Sequence, residues 1–122
     1  MYRIAIASSD GESVNQHFGQ VRSLLIYEIS DAGAEFVEDR EINLASGEAA
    51  HTERNMNIFA ETLSDCSAVF VRRIGAQSAK FLHERNIRTF EVDFTLNHII
   101  ATLLKRQTGG RVRLFRELKI EN

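Results

Sequence analysis

Tyr2-Arg3-Ile4-Ala5-Ile6-Ala7 runs straight into Ser8-Ser9-Asp10-Gly11 and, past Val14-Asn15-Gln16, into His17-Phe18-Gly19. The first six residues carry a short apolar strand pattern, and the polar, glycine-containing stretch after them reads as a loop. Gly11 and Gly19 can supply the positive backbone angles that sharp turns need, and Phe18 is an apolar residue able to pin the loop. A buried strand thus delivers one histidine, His17, onto a fixed platform. An imidazole placed there serves either as a metal ligand or as a hydrogen-bonding post within the loop.

Outward from this stretch, the periodicities switch in an orderly way. Residues 23–29 and 35–42 are two further strand patterns, with Asp31-Ala32-Gly33 between them as a hairpin turn, so the first three strands predict an antiparallel meander. Residues 43–52 read as a loop around Gly47. Residues 54–63 then place Ile58, Phe59, Thr62 and Leu63 on one helical face. Ala68-Val69-Phe70-Val71 is a continuous apolar run, as expected of a strand covered on both faces. Gly75 closes it, and the pattern continues as a helix over 77–85 with Phe81 and Leu82 inward, a strand over 89–92 and a helix over 95–105. The predicted architecture is α/β: a five-stranded mixed sheet, built from a three-strand meander and then alternating helix and strand. Gly109-Gly110 marks the end of the core, giving a domain over 1–108 and a charged tail over 109–122 whose apolar residues suit an edge strand, a partner subunit or loose packing on its own domain.

Topology then selects the residues able to share a site. In a meander the third strand runs parallel to the first, and right-handed crossovers align the fourth and fifth with them. The carboxyl ends of these strands form one edge, where ligands of open sheets bind. That edge collects His17, His51, the turn Arg72-Arg73-Ile74-Gly75-Ala76-Gln77-Ser78, and Asp93-Phe94-Thr95. Arg72 and Arg73 are either a strand-end charge pair exposed to water or ligand contacts, and because adjacent strand residues face opposite sides, at most one of them faces a ligand. His51 is either a second ligand or a residue leading into a helix beside Thr52. His83 and His98 read as surface or packing residues. Cys66 opens the fourth strand, about 20 Å from the site edge at roughly 3.3 Å per residue, and reads as a buried joint residue.

Composition bounds the function classes. The chain has 122 residues, 43% of them hydrophobic, enough for one core and too few for a second ordinary domain. A net charge of −2 exerts no global pull toward nucleic acid or membrane. No targeting pattern or membrane-length apolar run appears, and a single cysteine fits a reducing compartment, so a cytoplasmic location is expected. No paired carboxylates or nucleophile–base spacing stands out, which argues against an enzyme.

Ala5-Ile6-Ala7-Ser8-Ser9-Asp10-Gly11 with Val14 and His17-Phe18-Gly19 resembles the opening motif of the dinitrogenase iron-molybdenum cofactor-binding family, the NifX and NafY type carriers and the carboxyl-terminal domain of NifB-type proteins. The resemblance continues through Leu63-Ser64-Asp65-Cys66-Ser67-Ala68-Val69, Arg73-Ile74-Gly75-Ala76 and residues 82–88, and covers roughly 2–105. It implies a three-layer, ribonuclease H-like fold and a non-enzymatic carrier. The implied cargo is the iron-molybdenum cofactor or its iron-sulfur precursor, transiently bound during nitrogenase cofactor biosynthesis, and the implied partners are cofactor-assembly proteins or apo-dinitrogenase. His17 would be the metal ligand, with Arg72 or Arg73, His51, and the backbone at Gly75 and Gln77 completing the cofactor-binding set, because guanidinium groups and free helix amides suit an anionic metal-sulfur cluster. The carrier of another metal-sulfur cluster and a regulatory or protein-interaction domain of the same fold remain alternatives, and an exposed outer strand offers a surface for a homodimer. Relatives often have proline where this chain begins its helix with Ala76-Gln77-Ser78; it has no proline at all.

Overall fold

The computed structural model describes residues 1–45 and 51–105. Five strands, β1 (Tyr2–Ile6), β2 (Ser23–Ser30), β3 (Gly33–Glu41), β4 (Ala68–Val71) and β5 (Arg88–Glu91), form one sheet in the order β3-β2-β1-β4-β5. Three helices, α1 (Glu53–Thr62), α2 (Ala76–His83) and α3 (Leu96–Lys105), accompany them. β1 lies at the centre, antiparallel to β2 and parallel to β4, with Ile4 opposite both Tyr27 and Ala68. β4 and β5 are parallel, whereas β2 and β3 close the meander as an antiparallel hairpin. At its turn Gly33 takes φ +129°, a conformation that side-chain-bearing residues adopt only with strain.

Strand alternation divides the core into two. Ala5, Leu24, Ile26, Val69 and Val71 face one side and pack with Met56, Phe59 and Leu63 of the α1 region and Leu82 of α2. Tyr2, Ile4, Ile6, Ile29, Ala68, Phe70 and Phe90 face the other side, against Leu96, Ile99 and Leu103 of α3. Helices therefore cover both faces, and all four residues of β4 are buried, as its unbroken apolar run predicts.

Three details depart from the sequence expectation. The buried face of α1 is Asn55, Met56 and Phe59, continued by Leu63, while Ile58 and Thr62 are only half-buried. Asn55 is inside because its side-chain oxygen accepts the Ala45 amide at 2.8 Å, which fastens the preceding loop to the helix. Phe81 is half-buried too, with the Arg85 guanidinium 3.4 Å above its ring. β3 carries a bulge: Ile26 pairs Glu38 but Tyr27 pairs Phe36, so Val37 is the additional residue and turns toward the α1 side. The proposed tail, 109–122, lies outside the described residues.

An ion network ties the amino end of β4 to both antiparallel strands. Asp65 accepts from Arg40 of β3 at 2.7 and 3.1 Å and from Arg3 of β1 at 3.0 Å, and Arg3 also bonds Glu28 of β2 at 3.2 Å. These bonds, Arg40 foremost, hold the Asp65 carboxyl well below its ordinary range, at about 2. Cys66 beside it is buried, and loss of solvation, reinforced by the Asp65 charge, pushes its thiol up to about 12.

Candidate functional site

Beyond β1 the chain stays attached to the sheet: Ala7 donates to the Phe70 carbonyl at 2.9 Å. Asp10 then organises the polar loop, accepting from the amides of Glu12 (2.8 Å) and Ser13 (3.1 Å) and from the Ser8 hydroxyl (3.0 Å), which lowers its pKa. Gly11 takes the expected positive φ, +74°. Gly19 does not, because it sits inside a short 3-10 turn over Phe18–Gln20. Ser13 bridges to Thr95, so this loop is also anchored beside the start of α3.

Two backbone bonds then fix His17. Arg72 donates to the Gln16 carbonyl at 2.9 Å and Phe18 donates to the Arg73 carbonyl at 2.8 Å, laying His17 alongside the turn that follows β4. Phe18 points inward, 5% exposed, with its ring centre 4.3 Å from that of Phe59. His17 is exposed. The apolar anchor expected at Phe18 is thus in place, and it leaves the neighbouring histidine facing out.

Beside His17 opens a cavity of about 970 Å³, lined by His17 to Gln20, Arg22, His51, Arg73 to Ser78, and Glu91. It occupies the strand-end edge on the α1/α2 side of the sheet. His17, His51, Arg73, Gly75 and Gln77, which sequence placed on one edge, all line it. Arg72 does not: it turns to the opposite side of the strand end and pairs with Asp93 at 3.4 Å. Asp93, Phe94 and Thr95, which lead into α3, and His98 in its first turn stay outside the cavity, His98 against the Phe94 ring at 4.5 Å. His83 is exposed in the last turn of α2, at the other end of that helix from the cavity.

The cavity wall is rich in donors. Gly75 caps α2 without a side-chain bond, so the first-turn amides receive no capping side chain, and no acidic residue occupies that turn. Arg22 donates to the carbonyls of Gly19 (3.1 Å) and Val21 (2.8 Å), bracing the turn while presenting its charge. Among the described lining residues, two arginines, Arg22 and Arg73, face one glutamate, Glu91. His51 immediately precedes Thr52, whose hydroxyl accepts the Asn55 amide as the cap of α1. Among the described residues no three His, Cys, Asp or Glu side chains converge to hold a lone metal ion. No helix among them is long and apolar enough to cross a membrane.

Sequence reasoning missed Gln20, Arg22 and Glu91. Arg22 was findable as the cation leading into β2, five residues after His17. Glu91 closes β5 on the same edge as Arg73, but the strand reading of 89–92 drew attention past it to Asp93.

The comparisons with known proteins follow the same outline. Residues 1–106 match the family described as "Dinitrogenase iron-molybdenum cofactor". The chain is 38% identical over 80 residues to Protein NifX of Rhodobacter capsulatus, covering 63% of this chain and 50% of that one. It is 35% identical over 72 residues to the FeMo cofactor biosynthesis protein NifB of Herbaspirillum seropedicae, covering 59% of this chain and 14% of that one. The chain therefore spans about half the length of that NifX and a small part of that NifB. The crystal structure of PH0822 superposes with a TM-score of 0.63 over 84% of this chain and 90% of that chain, at 18% identity, a likeness of fold. With its sheet order, its histidine loop and a family match running through almost all of the described residues, this chain belongs to the dinitrogenase iron-molybdenum cofactor family.

Proposed function

We propose that this protein is a non-enzymatic carrier of the iron-molybdenum cofactor or its iron-sulfur precursor, acting in nitrogenase cofactor biosynthesis. The observation that carries the reading is the convergence of an outward imidazole, two guanidinium groups and an uncapped helix start on one open cavity. A cluster brings its own metal–sulfur framework, so it needs few protein ligands. His17 supplies one nitrogen to a metal, His51 lines the same cavity as a second donor, and Arg73 and Arg22 neutralise cluster and carboxylate charge. The α2 amides at Gly75 and Gln77 add directed donors at the positive end of a helix dipole. Few ligands also suit a protein that must later surrender its cargo to cofactor-assembly proteins or apo-dinitrogenase. The sheet order β3-β2-β1-β4-β5, with β2 alone running against the others, supports the ribonuclease H-like description of the fold. That likeness carries no nuclease chemistry, since β1 bears no acidic residue.

The test is anaerobic uptake. Apo-protein is incubated separately with isolated iron-molybdenum cofactor and with its iron-sulfur precursor, desalted, and assayed for bound iron, molybdenum and sulfide. Stoichiometric retention weakened by His17→Ala is the expected result. No retention from either donor by folded protein overturns the carrier reading in favour of a protein-interaction domain.

A further inference from the structure

Among the described residues, Glu91 is the carboxylate that lines the cavity together with the cations Arg22 and Arg73. One carboxylate oxygen accepts the Ile74 amide at 3.0 Å, and the other lies 3.7 Å from the Arg73 guanidinium. The first contact fixes the turn whose Arg73 carbonyl holds the His17 loop. The second occupies the cation that an anionic cargo needs. Arg73 and Glu91 side chains are 64% and 41% exposed, and an ion pair so open to water is weak and therefore exchangeable.

Resting on the carrier reading above, we propose that Glu91 is a built-in competitor: a fixed carboxylate that holds Arg73 in the empty protein, yields it to anionic cargo, and then repels that cargo to favour release. The two oxygens divide the work. The bond to Ile74 keeps Glu91 in place when Arg73 leaves, so its charge stays at the cavity mouth instead of swinging into solvent. A cargo of several negative charges displaces the carboxylate from Arg73, whereas a weakly charged anion gains too little to do so. The residue thus sets both a charge threshold for binding and the ease of hand-over.

Glu91→Gln separates these roles, because an amide oxygen still accepts the Ile74 N–H while the negative charge is gone. Wild type, E91Q, R73Q and the double variant are loaded with isolated iron-molybdenum cofactor, and loss of bound molybdenum is timed under challenge by apo-dinitrogenase. At low salt E91Q is expected to hold the cargo about two- to fivefold longer, the gain a single exposed charge contact allows. That gain shrinks as salt screens the site, and is smaller in the R73Q background, where no arginine remains to be freed and only the repulsion by Glu91 is relieved. Thermal melting of E91Q within about 1 °C of wild type excludes a folding effect, since a surface change of this kind costs little. Equal or faster release from E91Q, or a gain of undiminished size without Arg73, overturns the competitor role while leaving the carrier reading intact. Failure of wild type itself to retain cofactor overturns both.

Discussion

Asp65→Asn removes one charge at the end of the sheet remote from the cavity, and its cost can be worked from the contacts. Asp65 accepts from two arginines on two different strands, at 2.7, 3.1 and 3.0 Å. Those bonds lower its pKa from 3.8 to about 2, nominally about 2.5 kcal/mol at 1.36 kcal/mol per unit. The carboxylate is 40% exposed, so solvent screening reduces the ionic part to about 1 kcal/mol. Arg40, only 16% exposed, keeps Glu38 as its remaining ionic partner and adds a desolvation cost, which brings the expected loss to about 1–2 kcal/mol. For a chain of this size that corresponds to a fall of about 4–8 °C in Tm. A depressed folded-state pKa means the stabilisation is fully present above the unfolded carboxylate value and is lost as pH falls through about 2. Urea denaturation of both proteins from pH 7 down to pH 2.5 reads this directly, with the gap narrowing below pH 4. Equal stability at pH 7, or a gap that stays constant into acid, would refute the reasoning.

Cys66, with its thiol at about 12, is expected to resist iodoacetamide in the native protein and to react in urea, in apo and cargo-loaded protein alike; rapid native alkylation would contradict its burial. Arg73→Ala should weaken cargo retention about five- to tenfold and flatten its salt dependence, because a directed charge contact is lost. Arg72→Ala, which removes only the pair with Asp93 across the strand end, should leave retention within about twofold, and equal losses from both variants would contradict the assignment of Arg73 to the cavity.

The fold was legible because its signals are local and mutually consistent. The apolar run of β4 is buried throughout, the turn before Gly33 closes the hairpin, and strand direction alone gathered His17, His51 and the Arg73 turn on one edge. What escaped depends on tertiary partners. Asn55 reads as a polar position until the Ala45 amide is seen above it, and the bulge at Val37 has no marker such as glycine. The choice between Arg72 and Arg73 follows from which side of the sheet each strand-end residue meets, Asp93 on one and the α2 turn on the other. Glu91 was hidden for the same reason: its significance is a bond to an amide 17 residues earlier.

The division of the sheet into two functional ends follows from these contacts. At the amino end of β4, Asp65 and its arginines form a saturated network with a buried, unreactive thiol beside it. At the carboxyl end, charges are exposed, pairs are weak and helix amides are uncapped. Rigidity at one end and exchangeable contacts at the other suit the proposed carrier role. In the proposed carrier His17 is the anchor, and the most direct measurement is pulsed electron paramagnetic resonance on protein loaded with isolated iron-molybdenum cofactor, with isotopically labelled histidine incorporated. A histidine nitrogen coupled to the cluster in wild type and absent in His17→Ala is the predicted result. Wild-type and His17→Ala spectra with the same nitrogen coupling, or with none, would contradict it.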